Sequence, residues 1–101
     1  MKTAIELIAI ERGEQIEKHG FSLGNDADYS HGELLDAAMY CLTEDISHYP
    51  ENWSDWFPMK VKAKRMRMST KQFQFEMLKI AAAFIVAEME RLDPECAGVP
   101  K

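Results

Sequence analysis

Four carboxylates are spaced so that they can act together: Glu14 and Glu17, then Glu33 and Asp36. A separation of three residues puts each pair on one face of a helix. Two such faces set against each other offer four hard oxygen ligands. That is the set Mg²⁺ takes while it retains waters for a phosphate-bearing substrate. Glu11 with Glu14 is an alternative first pair. The same acids also read as solvated helix faces, with Glu33 as the third-position partner of a Ser30 cap. Phosphate has its own complement nearby. Residues 60–71 hold Lys60, Lys62, Lys64, Arg65, Arg67 and Lys71 and no acid. Lys62, Lys64, Arg65 and Arg67 could neutralise a triphosphate while Trp53 or Trp56 stacks on the base, or the segment could grip nucleic acid or an acidic partner. Intramolecular pairing with the acidic helices is the competing role, worth at most about 1 kcal/mol for each exposed pair. Glu88 falls among apolar residues on a helical wheel, so it needs a metal or a paired cation, unless the helix ends there and Glu88 snorkels to water or meets Arg91. His19 suits the end of a helix dipole, His31 lies close in sequence to Asp26, Asp28 and Glu33, and His48 abuts an aromatic stretch. No spacing suits zinc, a Ser-His-Asp set or a glycine-rich phosphate loop.

Glu14-x-x-Glu17, a spacer of fifteen residues and Glu33-x-x-Asp36 resemble the ExxE and ExxD motifs of the all-α nucleotide pyrophosphohydrolases of MazG type. That resemblance implies an all-α fold and Mg²⁺ held by Glu14, Glu17, Glu33 and Asp36. A second set covers most of the chain: Glu11-Arg12, Gln15-Ile16, Gly20-Phe21, Asp26, Gly32-Glu33-Leu34, Ala37-Ala38, Tyr40, the Trp-rich middle, and Ile85 to Asp93. It resembles a widespread group of small phage and prophage proteins, which implies a bacterial host cell as the setting. Those relatives usually carry a His-Asp-Asp-x-His-like loop before the Gly-Glu-Leu. Here the loop is Asn25-Asp26-Ala27-Asp28-Tyr29. Two histidines and one carboxylate of that pattern are missing.

Three main helices must position these groups. The first opens on a Thr3–Glu6 capping box and runs to about His19, with Gly20 suited to its C-cap. Ile5, Ile8, Ala9 and Ile16 form one apolar stripe, and Leu7 and Ile10 lie on the other side. Such a helix must be covered twice, by its own bundle and by a second subunit. Residues 21–30 read as a loop, and Ser30–Glu33 as a second capping box opening a helix to about Glu44. Leu34, Leu35, Ala38, Cys41 and Leu42 are its expected core stripe, with Glu33, Asp36, Ala37 and Tyr40 opposite. Residues 48–58 form an aromatic loop bounded by prolines that stop a helix on either side. The basic segment 59–68 follows, with room for a short helix after Pro58. The third long helix starts near Ser69 or Thr70 and ends before Asp93-Pro94. Its polar wedge is narrow, through Glu76, Lys79 and Glu90, so it belongs at the centre of a bundle. Residues 1–93 make one domain and 94–101 a frayed tail.

Composition narrows the class. At 101 residues, 47% hydrophobic and 29% charged, the chain holds one domain with a real core and is not disordered. Its longest apolar run, Ile80 to Ala87, is far below the roughly 20 residues of a membrane span. The N-terminus shows no signal-peptide pattern, and Cys41 and Cys96 form no CxxC pair, so the expected location is cytoplasmic with reduced thiols. The net charge of −5 divides into −9 over residues 1–59, +6 over 60–71 and −2 beyond. That division excludes a generally DNA-coating basic protein.

The expected fold is therefore an all-α bundle of three main helices, dimerising through the first and third. Two functions follow. One is a Mg²⁺-dependent pyrophosphohydrolase acting on a nucleoside triphosphate. The other is a non-enzymatic phage interaction protein that inhibits a host defence complex through its acidic or basic face.

Overall fold

The computed structural model describes residues 1–19, 32–50, 53 and 56–93; for Glu17, Lys18, His19 and Trp56 it describes the backbone only. The expected loop 21–30, the Gly20 cap, Ser30, His31, the tail 94–101 and Cys96 lie outside those residues. Four α-helices make up most of what is described: α1 (Ala4–His19), α2 (Glu33–Thr43), α3 (Trp56–Arg67) and α4 (Thr70–Leu92). A short 3-10 turn, Ile46–His48, follows α2. None of these helices is long and apolar enough to cross a membrane.

Local chemistry sets the helix starts. The Thr3 hydroxyl accepts from the Glu6 N–H at 3.1 Å while the Glu6 carboxylate accepts from the Thr3 N–H at 3.1 Å. Ser69 and Gln72 repeat this reciprocal box at the start of α4, at 3.2 and 3.1 Å. The start of α2 differs from these two. Gly32 holds the N-cap position at φ 83°, with no side-chain cap. Only glycine adopts that left-handed backbone without strain. Glu44 ends the same helix at φ 59°, its N–H donating to the Tyr40 carbonyl at 2.7 Å. The basic segment adds a fourth helix to the expected three. It begins at Trp56, ahead of Pro58, which is tolerated because first-turn N–H groups have no intrahelical acceptor.

Helix α4 is the axis of the bundle. α2 packs along it over the most extensive contact, and α1 packs on another side. α2 and α4 are antiparallel: Leu42 and Leu78 share the wall of a cavity of about 340 Å³, while Glu33 adds to the field at Arg91. The core between them contains Leu34, Ala38, Cys41, Phe73, Met77, Ile80 and Phe84. Two details correct the expected α2 stripe. Ala37 and Tyr40 are buried, whereas Leu35 and Leu42 are exposed. The reason is the aromatic layer contributed by the following segment. Tyr40 meets Tyr49 edge-on at 5.3 Å and Phe57 at 6.1 Å, and Phe57 meets Phe84 at 5.9 Å. Edge-to-face pairs of this kind add to area burial, so the helix turns Tyr40 rather than Leu42 inward.

Candidate functional site

The interface between α1 and α4 is polar. Arg12 is 5% exposed and Gln15 2%, whereas Ile5, Ile10 and Ile16 face outward. Arg12 Nε donates to Glu90 Oε1 at 2.8 Å, and the neighbouring Glu11 meets Lys79 at 3.6 Å. Adjacent residues thus reach points on α4 separated by eleven residues, roughly 16 Å of helix. The wedge of α4 through Glu76, Lys79 and Glu90, the side left polar by its sequence, is where α1 docks. Lys79 also binds Glu76 at 3.0 Å, and Glu76 binds Lys64 of α3 at 2.9 Å. One chain of alternating charges therefore ties three helices together. Burial raises the Glu11 carboxyl above its ordinary range despite the pull of Lys79. Burial would also raise Glu76, but hydrogen bonds from Lys64 and Lys79 outweigh it and hold that carboxyl low. Cys41 lies near this chain; burial, with Glu11 adding to it, pushes its thiol up to about 12, which leaves it inert as a nucleophile.

The four expected metal ligands are distributed as follows. Glu14 and Glu33 are half-buried, Asp36 is exposed, and the Glu17 side chain lies outside the described residues. Among the described residues, no three His, Cys, Asp or Glu side chains form a group able to hold a metal ion. Glu14, Glu33 and Asp36 by themselves therefore do not fit Mg²⁺ as a preformed set. Their parent helices do approach the same place. Arg12 brings α1 to Glu90, and Glu33 of α2 lies within the electrostatic reach of Arg91. Both carboxylate-bearing segments thus meet the last turns of α4. Glu88, singled out by its apolar surroundings, is buried there and pairs with Arg91 through Nε.

The cations of residues 60–71 divide in two. Lys64 is bound to Glu76. Arg65 grips both carboxylate oxygens of Glu44 and lies 4.8 Å from the centre of the Phe73 ring. The Glu44 hydrogen bonds raise the Arg65 pKa. Lys62, Arg67 and Lys71 are exposed. Arg67 and Lys71 line an open groove of about 590 Å³ at the α3–α4 corner, together with Met68, Gln72, Phe75 and Glu76. Trp53 packs against Tyr49 at 6.0 Å and Phe84 at 5.9 Å, on the core. The aromatic ring beside the free-standing cations is Phe75. Two signals for these residues were available in the sequence. Arg12 and Gln15 lie four and seven residues after Ile8, on its apolar face of α1. Lys71 and Phe75 are one turn apart on α4.

Fold and site together define an all-α bundle whose first helix is clamped by buried ion pairs and whose α3–α4 corner carries a basic groove. Comparison with models of known protein families, with characterised proteins and with solved structures gives no match.

Proposed function

We propose that this chain is a non-enzymatic interaction protein of phage type that engages an acidic segment of a host protein complex, inhibiting that complex, through the groove at the α3–α4 corner. The observation that carries this reading is the pairing pattern of the basic segment. Lys64 and Arg65 hold the bundle together, whereas Arg67 and Lys71 stand in no ion pair among the described residues and flank an exposed Phe75. Guanidinium and ammonium donors beside an aromatic face suit carboxylate-rich peptide, with Arg67 able to bind a carboxylate bidentately. The resemblance to small phage proteins supports a partner in the cytoplasm of a bacterial cell.

The test is binding of a fluorescent Glu/Asp-rich peptide. Binding should weaken with salt, because these charges are exposed. Arg67→Glu with Lys71→Glu should abolish it and leave helicity unchanged. Peptide affinity indifferent to that double reversal, or no affinity at all, ends this reading.

A second reading has one observation in its favour, the approach of the Glu14/Glu17 and Glu33/Asp36 segments to the same end of α4. It is a pyrophosphohydrolase-like protein that takes Mg²⁺ at those four carboxylates and a nucleoside triphosphate. Lys62, Lys64, Arg65 and Arg67 would be its phosphate ligands, with Trp53 or Trp56 against the base. Purified chain that releases no pyrophosphate from any common (d)NTP with Mg²⁺ removes it.

A further inference from the structure

Two helices of this bundle carry apolar residues on the side away from the core, at a spacing the core does not require. On α4 they are Phe75, Leu78, Ala82, Ile85, Met89 and Leu92, in steps of three, four, three, four and three. On α2 they are Leu35, Met39 and Leu42, in steps of four and three, with Ile46 four residues further on. Alternating steps of three and four are the repeat by which helices pack knobs into holes. Apart from Ala82, all of these side chains are between 42% and 68% exposed. The core of the same helices uses other residues, Leu34, Ala38 and Cys41 on one and Phe73, Met77, Ile80 and Phe84 on the other. Both helices thus have a second apolar face. Leu42 and Leu78 line one cavity, and the helices are antiparallel, so the two seams lie side by side.

We infer that this double seam is covered by a second copy of the chain, so that α2 and α4 of two protomers close into a four-helix bundle. Size is the first argument. The exposed seam side chains present on the order of 700 Å² of apolar surface, against about 800 Å² per partner in a stable interface and about 300–600 Å² for the largest patch on an ordinary monomer. Self-complementarity is the second. An antiparallel pair of helices with the same repeat on each can dock on its own image by a two-fold rotation, α2 of one protomer against α4 of the other. No charged residue interrupts either seam, so nothing in it selects a partner of opposite charge. The second dimer helix is therefore α2, whereas the sequence pattern favoured α1. This inference does not rest on the groove reading; Phe75, the first residue of the α4 seam, borders the groove and is shared by the two surfaces.

Light scattering on the intact chain at micromolar concentration should give twice the monomer mass. Leu42→Lys with Ile85→Lys should give the monomer mass with unchanged far-UV circular dichroism, since both side chains are already exposed. Leu42→Met with Ile85→Leu should keep the dimer, and so should Ile5→Lys on the outer face of α1. A monomeric wild-type chain would overturn the proposal, the seam then belonging to another occupant or to none. So would a dimer that survives the double lysine variant or is lost in Ile5→Lys. An open series of larger species would do the same, because a two-fold interface closes at two.

Discussion

Arg12→Ala is expected to produce the largest loss of stability of any single change in α1. The guanidinium is among the most buried charged groups described, and its Nε bond to Glu90, at 2.8 Å, is shorter than the Glu11–Lys79 contact, a second polar link between α1 and α4 among the described side chains. Removing it has two costs. The aliphatic stem of Arg12 fills space against α4, and truncation empties it. The Glu90 carboxylate, itself largely covered, is then left without its cation. Breaking a buried pair from one side costs about 3 kcal/mol, because the remaining charge keeps its desolvation penalty. For a domain of this size that is a fall in Tm of about 12–24 °C. Thermal denaturation followed by circular dichroism measures it directly. Glu90→Ala alone should cost less, since the aliphatic stem of Arg12 keeps its place against α4. The double variant should be less destabilised than the two single changes added together, because the charge stranded by each is absent. A Tm for Arg12→Ala within a few degrees of wild type would mean that α1 is not clamped by this pair.

That expectation runs against the apolar pattern of α1, and the contrast shows how much of the structure is legible in the residues alone. The Thr3–Glu6 capping box can be read from the residues, since a cap is a local exchange of two side chains for two backbone donors; at Ser69, where the sequence places only a helix start, Gln72 completes a second box. The long central helix is legible too, because apolar residues surround most of its circumference. Burial in α1 is not. Hydrophobic periodicity says which residues prefer to be covered, and the face that becomes covered depends on what the neighbouring helix presents. α4 presents Glu76, Lys79 and Glu90 on its remaining side, so α1 turns Glu11, Arg12 and Gln15 toward it and leaves Ile5, Ile10 and Ile16 outside. The same logic explains α2, where the aromatic layer of Tyr49 and Phe57 draws in Tyr40 and Ala37 at the expense of Leu42. For Glu88 the residues alone allow a metal, or a helix end that lets it snorkel to water or meet Arg91; the helix runs on to Leu92, and Glu88 pairs with Arg91.

The basic segment was ambiguous for a different reason. Six cations in twelve residues can bind a ligand or neutralise acids of the same chain, and composition does not separate the two. Geometry does so residue by residue. Lys64 and Arg65 face acids on α4 and at the end of α2, and Arg67 and Lys71 face the groove. α1 and α2 both reach the last turns of α4, through Arg12 at Glu90 and Glu33 near Arg91. Glu11, Arg12 and Gln15 belong to the polar α1–α4 seam.

Gln15→Met should raise stability, which is unusual for a change at a fully buried position. Gln15 is 2% exposed, and among the described residues neither its Oε1 nor its Nε2 has a hydrogen-bond partner. A buried polar atom left unsatisfied costs about 1–3 kcal/mol, and an amide carries both a donor and an acceptor. Methionine matches glutamine in length, has no strong hydrogen-bonding group and adapts to irregular space. Replacing the amide by a thioether methyl removes the penalty while keeping the contacts of the stem. A gain of about 1–3 kcal/mol, or roughly 4–24 °C in Tm, is therefore expected, provided Arg12 keeps its hold on Glu90. Gln15→Glu should do the opposite, because it puts an unpaired charge at the same place. The informative failure is a fall in Tm for Gln15→Met. It would mean that the amide is partnered in solution by water or a bound polar group, and the seam between α1 and α4 would then be a binding site rather than a clamp.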